Sequence, residues 1–537
     1  MTSSPAPGAV PRSHHEIDSR SSLLLFFLVV ALFIAARVWR LTDSCLWFDE
    51  IFGIHAARHD WKHMFQFVAA DLIHPPLFYA LLKIWIAIGG ESLLWLRLLP
   101  VLLSVAAVVP IVLLCRALKL NSWQTSLALA LLAVNGYLIK YAQEVRMYSL
   151  LFLLTCMSLW LFVQFTASAI RVSRVLPALM VVNLLLVYSH YYGWVIVLVE
   201  LFYLLLWSRE RAVKFLLTIL ALVLGFLPWL YLMTVSREPG RGLAQNIGWV
   251  TRPGLGDIAQ FFSLLNTPFF FRQSSAGSLY DFWGIGLSLI IFGVPLAILI
   301  WRKIKVERSE RRNIFTLLGF VVLPIVLVFI LSWALPHSVW GTRHLIVIAA
   351  PYAMLAALAL TSLPRAWLRT VCFALLGCWL LLNGAVTIWK RPPNFTWCTW
   401  EPLAQEVIKV ETRNPETVQV YAFEDLVAYH LWFAFASERR SGQTGEFKVH
   451  VVKGIPGLQE DPAYFLPRRF YEIETQEGAT YRGDAVWLAF RSVQWDTTRP
   501  PLSMIAAQGF ETGRVFELLA QGQKSFLVEL RRKGQVR

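Results

Sequence analysis

Charged residues and cysteines are scarce in this sequence. Of its 537 residues only 15% are charged, against about 25% in an ordinary soluble domain. This scarcity excludes an ordinary soluble enzyme, a disordered protein and a coiled coil. Six cysteines in 537 residues are too few for a disulfide scaffold, and the absence of a C-x-x-C pair argues against a structural zinc site.

Hydrophobic residues make up 57% of the chain, including 23 Trp and 36 Phe, and the mean hydropathy is +0.56. Apolar runs of about 20 residues, the length that crosses a bilayer, predict eleven spans. They lie at 22–41, 95–115, 123–138, 147–168, 175–189, 191–207, 213–235, 283–301, 314–335, 344–363 and 368–389. The apolar stretch after His74-Pro75-Pro76 is too short to span, and we predict that it lies on the membrane surface.

The distribution of basic residues predicts the orientation. With eleven spans and a cytoplasmic amino terminus, the cytoplasmic loops carry 15 basic and three acidic residues, as the positive-inside rule requires. The net charge of +15 is therefore a topology signal and gives no reason to expect a nucleic-acid partner. Because the number of predicted spans is odd, the carboxyl terminus then lies outside the cell (cytoplasmic or inner) membrane. The polar residues 1–21 read as a disordered cytoplasmic tail, although the first apolar run leaves a cleaved signal peptide open.

Composition changes at Lys390. Residues 390–537 carry 19 basic and 18 acidic residues, which is typical of a soluble domain. Short β-like runs that begin at 418, 447, 485 and 526 alternate with helical stretches such as 425–436, which predicts an extracytoplasmic α/β domain.

Two long loops follow the first and seventh spans, at 42–94 and 236–282, and both face outward. In the first loop an apolar stripe at helical spacing predicts an interfacial helix, with members Trp61, Met64, Phe65, Val68 and Leu72. The second loop is rich in glycine, and it is either a mobile lid over a site or a flexible surface loop.

Ionisable residues gather at the predicted outward ends of the spans. Asp49 and Glu50 follow the first span; they are either solvated acids of a helix start or a carboxylate base whose pKa is raised by burial. The segment 140–148 lies between two spans, and it is either an ion pair with tyrosine anchors or part of a polar cavity. Arg97, Arg343 and His344 lie at the same leaflet, where cations are candidates for binding phosphate or for simple snorkelling.

These residues resemble a known family when they are taken in order. The pattern comprises Trp47-Phe48-Asp49-Glu50, His74-Pro75-Pro76-Leu77-Phe78-Tyr79 with Trp85 and Gly89, Leu96-Arg97-Leu98, the segment 141–149 (YAQEVRMYS) and Arg343-His344-Leu345. It is similar to the family 39 class of GT-C fold glycosyltransferases, which includes protein O-mannosyltransferases and lipid A aminoarabinose transferases. The resemblance covers residues 22–363 and not the last 148.

The resemblance implies an activity and a set of site residues. The activity is transfer of a sugar from a polyprenyl-phosphate carrier to a lipid, glycan or protein acceptor outside the membrane. The implied catalytic residues are Asp49, Glu50 and Glu144, and the implied or expected substrate-binding residues are His74, Arg97, Tyr141, Arg146, Tyr148, Arg343 and His344. Asp49 would be the base of an inverting transfer, because a polyprenyl phosphate leaves as an anion and needs no strong acid.

Three expectations remain open. A Mg²⁺ or Mn²⁺ ion is conceivable on Asp49 and Glu144, although no metal-ligand spacing is visible and no cofactor is certain. Cys45 and Cys398 both fall on the outward side, so a disulfide between them is a hypothesis. The alternative function is a polytopic lipid or sugar transporter or flippase, although no internal repeat favours it.

Overall fold

The computed structural model describes residues 14–533 except for 168–171, 238–243, 270–278, 304–307, 390–394, 412–416, 441–444, 456–457, 459–465, 469, 479 and 484. Most of the predicted tail therefore lies outside the described residues. The first helix begins at His14 and not at 22, so residues 14–21 continue the helix instead of belonging to a disordered tail. A helix can extend beyond a span because its backbone hydrogen bonds are satisfied internally.

Helices account for residues 14–389. They are α1 (His14–Val38), α2 (Phe48–Arg58), α3 (Trp61–Asp71), α4 (Leu77–Gly89), α5 (Leu93–Ala106), α6 (Val108–Ala117), α7 (Ser122–Val134), α8 (Gly136–Ala142), α9 (Tyr148–Ala167), α10 (Val172–Ser189), α11 (Tyr192–Trp207), α12 (Arg209–Ser236), α13 (Ala244–Ile247), α14 (Leu255–Asn266), α15 (Leu279–Ser288), α16 (Val294–Lys303), α17 (Arg308–Ala334), α18 (Ala349–Thr361) and α19 (Ala366–Trp389). A π-helix at Leu289–Gly293 joins α15 to α16, and a 3₁₀-helix at Thr342–Ile348 precedes α18.

Eight helical segments within the described residues are long and apolar enough to cross a membrane. Eight of the eleven predicted spans correspond to these segments. The other three correspond to α7, α10 and α11, which are shorter apolar helices. Helix α4 has 13 residues and is also one of the shorter apolar helices, so its place on the membrane surface stays a prediction.

The first loop, 42–94, contains α2, α3 and α4. Helix α3 follows the predicted stripe: Met64 and Val68 are buried, whereas Lys62 and His63 are exposed. Asp60 caps α3 by accepting a hydrogen bond from the backbone N–H of His63. A helix is thus formed where the apolar stripe predicted one, and Met64 and Val68 pack on the protein, whereas Trp61 is 47% exposed. Its position at the membrane interface stays a prediction.

Buried polar side chains join the spans to one another. Arg37 of α1 is fully buried and donates to Ser104 Oγ at 2.8 Å and to the carbonyl of Leu132 at 3.2 Å. Farther along, Glu200 accepts hydrogen bonds from Ser158 Oγ and Asn183 Nδ2, both at 2.7 Å. Polar groups inside a membrane helix bundle are costly unless paired, and these pairs fix the positions of α1, α5, α7 and α9–α11.

The carboxyl-terminal domain is a mixed six-stranded sheet with helices. Its elements are a 3₁₀-helix at Thr396–Thr399, α20 (Trp400–Glu411), β1 (Val418–Ala422), α21 (Asp425–Arg440), β2 (Phe447–Lys453), β3 (Glu474–Glu477), β4 (Val486–Ser492), β5 (Phe510–Ala520) and β6 (Gln523–Arg532). The strand order is β3-β2-β1-β4-β6-β5. β1, β2, β3 and β4 are parallel, while β6 runs antiparallel to β4 and β5. The predicted α/β domain is confirmed.

Alternation along the strands gives the sheet two buried faces. Val420, Trp487 and Leu527 belong to one hydrophobic core, which is continuous with that of the membrane helices. Their neighbours Tyr421, Leu488 and Val528 belong to a second core on the other face. The sheet therefore packs against the membrane half through a shared core.

Helix α21 docks the domain on α2. His55 Nδ1 lies 2.8 Å from the Tyr429 hydroxyl, and burial, with smaller effects of His59 and Arg58, lowers the pKa of His55 to about 2. Glu91 accepts hydrogen bonds from both Arg58 and Arg440. Cys45 and Cys398, 353 residues apart, form a disulfide with their Cα atoms 5.3 Å apart, which confirms the hypothesis drawn from their shared side.

Candidate active site

A cavity of about 1940 Å³ lies where the helix ends, the two long loops and the carboxyl-terminal domain meet. Nine of the ten residues that the sequence analysis selected line this cavity, and Tyr148 does not. The carboxyl-terminal domain contributes Trp397, Leu426 and Arg468, and α13 with its flank contributes Asn246 and Trp249. Of the proposed lid loop, residues 238–243 and 270–278 lie outside the described residues.

Helix α2 separates the two neighbouring acids. Glu50 is buried and caps the helix by accepting from the Trp47 N–H at 3.1 Å, while its other oxygen accepts from the Val145 N–H at 2.9 Å. Burial is the main cause that raises the pKa of Glu50, opposed by Arg97. Glu50 therefore joins α2 to the segment 144–146, and its predicted catalytic role stays a prediction.

Asp49 faces the cavity between two arginines. Its Oδ2 lies 3.3 Å from Arg343 Nη1 and 3.7 Å from Arg146 Nη2, and its side chain is 22% exposed. Arg146 also donates to the Asp49 carbonyl at 3.0 Å and to the Tyr79 hydroxyl at 3.3 Å. Because two guanidinium groups share one carboxylate, a bound anion can compete with Asp49 for either arginine.

Arg97 lines the cavity and also holds the chain that leads into α2. Its Nη atoms donate to the carbonyls of Leu41, Ser44 and Cys45 at 2.7 to 2.9 Å, and Nη2 lies 3.5 Å from Glu50. Its buried Nε has no hydrogen-bond partner. The predicted role of Arg97 in substrate binding stays a prediction.

Glu144 forms an ion pair with Lys140 at 2.7 Å, and its second oxygen is buried with no hydrogen-bond partner. Tyr141 and Tyr148 pack with ring centroids 4.8 Å apart, and the hydroxyl of Tyr148 is buried without a hydrogen-bond partner. Both predicted metal ligands, Asp49 and Glu144, are thus paired with cations. These contacts do not fit a divalent metal shared by the two carboxylates.

A histidine cluster adjoins the arginines. Among the described residues, His74, His190 and His344 form a group that could hold a metal ion, because one ring nitrogen of each lies within 4.8 Å of the other two. Arg146 Nη2 donates to His74 Nδ1 at 3.4 Å. Burial lowers the pKa of His190 to about 3 and that of His74 well below its ordinary value. The sequence analysis selected His74 and His344 but missed His190, since its neighbours Tyr191 and Tyr192 looked like membrane-surface anchors.

Asp71 was also missed, although it ends the predicted amphipathic helix. Asn246 Nδ2 donates to the Asp71 carbonyl at 2.8 Å and to its carboxylate at 3.1 Å. Arg468 of the carboxyl-terminal domain donates to the adjacent Ala70 carbonyl at 3.0 Å. Burial raises the pKa of Asp71 to about 6, against the influence of Arg468. This cluster joins three parts of the cavity wall.

Comparison with known proteins places the fold. No protein-family model and no curated protein sequence matches the chain. Among solved structures, ArnT from Cupriavidus metallidurans bound to undecaprenyl phosphate aligns with a TM-score of 0.52 at 13% identity, over 95% of this chain and 98% of that one. Its apo form aligns with a TM-score of 0.51 at 13% identity and the same coverage.

The oligosaccharyltransferase AglB from Archaeoglobus fulgidus, in complex with an inhibitory peptide and a dolichol-phosphate, aligns with a TM-score of 0.48 at 15% identity. That alignment covers 78% of this chain, which spans 64% of the length of AglB. The ArnT alignments confirm the predicted GT-C fold, a multi-pass membrane protein with a carboxyl-terminal α/β domain. They also extend beyond residues 22–363, where the sequence resemblance ended.

Proposed function

We propose that this protein transfers a sugar from a polyprenyl-phosphate carrier to a lipid, glycan or protein acceptor, with inversion at the anomeric carbon and Asp49 as base. The observation that supports this most directly is the carboxylate of Asp49 held between Arg146 and Arg343 in a large cavity. The predicted orientation places this cavity on the outer side of the cytoplasmic membrane.

An apolar wall of the cavity offers room for the carrier's isoprenoid chain. Leu32, Ala35 and Ala36 of α1 line it together with Gly384 and Ile388 of α19. A path between two spans lets a lipid keep its tail among apolar groups while its phosphate reaches the arginines.

Binding of the donor phosphate would free the base for the acceptor. In the protein alone, Asp49 Oδ2 lies 3.3 Å from Arg343 Nη1 and 3.7 Å from Arg146 Nη2. A phosphate that draws these guanidinium groups to itself would leave the Asp49 carboxylate able to accept a hydrogen bond from the acceptor hydroxyl.

These groups account for the proton, the bond formed and the bond broken in the proposed transfer. Asp49 takes the proton of an acceptor hydroxyl, the acceptor oxygen forms a bond to the anomeric carbon, and the bond from that carbon to the phosphate oxygen breaks. The phosphate departs with the electron pair as an anion, which Arg146, Arg343 and His74 stabilise by charge and hydrogen bonding. Glu50 and Arg97 hold Asp49 in position, and Glu144, Tyr141, Tyr148 and His344 complete the proposed site.

The test is transfer of radiolabelled sugar from polyprenyl phosphate by the full chain in lipid nanodiscs. Asp49→Asn keeps the side-chain shape and removes the base, so we expect transfer to fall about a thousandfold. Its matched control is Asp43→Asn, a partly exposed acid at the cavity that pairs with Arg40 and has no role in the proposed transfer, so this variant should retain most activity. Near wild-type turnover in Asp49→Asn would refute the assignment of the base.

A further inference from the structure

The three histidines beside Asp49 have the composition of a zinc site. Ring centroids of His190 and His344 are 4.5 Å apart, and those of His74 and His190 are 5.4 Å apart. Nε2 of His74, Nε2 of His190 and both ring nitrogens of His344 are buried without hydrogen-bond partners. Burying unpaired imidazole nitrogens costs free energy, so the cluster has room for a ligand that would pair them.

The local hydrogen bonds decide what kind of ligand fits. Arginine can only donate, so His74 Nδ1 accepts the bond from Arg146. His190 Nδ1 accepts from the backbone N–H of Tyr192 at 3.1 Å. A neutral imidazole has one proton, so in both residues the proton is on Nε2, the buried nitrogen that has no hydrogen-bond partner.

This tautomer is the opposite of the one a metal needs. A histidine that binds zinc through Nε2 offers a lone pair there and donates from Nδ1 to an acceptor. His74 and His190 instead present two N–H donors, and the low pKa values keep both rings neutral. Two N–H donors next to Arg146 and Arg343 match an oxyanion.

The fold holds these rings in place. A side chain at Gly193 would lie 2.7 Å from the Leu186 carbonyl, so the turn between α10 and α11 closes tightly on His190. A side chain at Gly341 would lie 2.6 Å from Nδ1 of His344. The turn therefore preorganises His190 before any ligand arrives.

We infer that His190, together with His74, binds a phosphate oxygen of the polyprenyl-phosphate donor, and that the histidine cluster is an oxyanion site and not a metal centre. This inference rests on the proposed function. It adds His190 to the residues that hold the leaving group, and His344 fills the remaining side of the cluster.

The experiment compares two lipids of equal chain length, polyprenyl phosphate and polyprenol, binding to the full chain in nanodiscs. The wild type should prefer the phosphate. His190→Phe keeps a ring without a donor, so its preference should fall about tenfold, the worth of one hydrogen bond to a charged group, while polyprenol binding stays unchanged. His190→Gln, whose amide nitrogen reaches the Nε2 position, should restore part of the preference.

The control is His430→Phe, a buried histidine of α21 outside the cavity, which should keep the full preference. Full preference in His190→Phe overturns this inference alone. So does one equivalent of zinc that survives dialysis in the wild type and is absent from His190→Gln. Equal binding of both lipids by the wild type overturns the proposed function itself.

Discussion

Charged side chains are paired differently around the cavity and in the carboxyl-terminal domain. In the domain, cations pair with nearby acids: Lys448 with Glu474, Lys524 with Glu517, and Arg491 with Glu424. Around the cavity, the buried Arg146 and the partly exposed Arg343 share the carboxylate of Asp49, and ring nitrogens of His74, His190 and His344 are buried without hydrogen-bond partners. Stability alone does not explain the second arrangement, because unpaired buried polar groups are costly. The contrast supports the proposal that the cavity is the functional region.

The largest expected effect comes from removing one arginine in each region. Arg343→Gln takes a charge from the proposed leaving group, and we expect transfer to fall about a hundredfold or more. Arg491→Gln removes the partner of Glu424 in the domain, and its transfer rate should stay close to wild type. Equal losses measured in the nanodisc transfer assay would contradict the contrast between the two regions.

A smaller effect should follow from removing the disulfide bond that joins the two regions. Replacing Cys45 and Cys398 by serine opens a loop of 353 residues, and such a bond typically contributes about 2–4 kcal/mol. We expect a lower midpoint of thermal unfolding. The control is Cys378→Ser, which changes a free, exposed cysteine of α19 and should leave the midpoint unchanged. An unchanged midpoint in the double variant would show that the docking does not depend on the disulfide.

The smallest effect is a pH dependence of docking through His55. Its pKa of about 2 lies below the ordinary 6.5, so the docked state binds fewer protons. The stability that neutral His55 contributes to docking is therefore complete above pH 6.5 and decreases as the pH falls, by about 1 kcal/mol near pH 5.5. Between pH 7.5 and pH 5.5, the midpoint of thermal unfolding should fall more for the wild type than for His55→Gln. Equal losses in the two proteins would refute this role of His55.

The sequence predicted the architecture well because span length, charge asymmetry and strand alternation are local signals. The strands at 418, 447, 485 and 526 are all present, whereas β3 and β5 were missed: β3 is short and polar, and β5 has mostly exposed side chains. Helices α7, α10 and α11 show the limit of counting apolar residues, since helices that pack inside a bundle can be shorter than the bilayer.

The candidate site was only partly predictable. Ordered motifs placed Asp49, His74, Arg146 and Arg343 together, but the pairing of Arg97 with three carbonyls depends on the tertiary path of residues 41–45. Glu50 looked like Asp49 in the sequence, and only the direction of each side chain from α2 distinguishes them. His190 approaches the cluster from a turn 116 residues beyond His74 in the chain, and no spacing rule predicts that approach.

The shared hydrophobic core bears on how this protein can be taken apart. The docking face of the carboxyl-terminal domain presents Tyr429, Trp432 and Phe470 to His55, with ring centroids within 4.6 to 5.9 Å. Cut away from the membrane helices, the domain would carry this aromatic patch into water and would tend to self-associate. The domain thus forms part of the cavity wall, and replacing it with another domain would require a matching aromatic face.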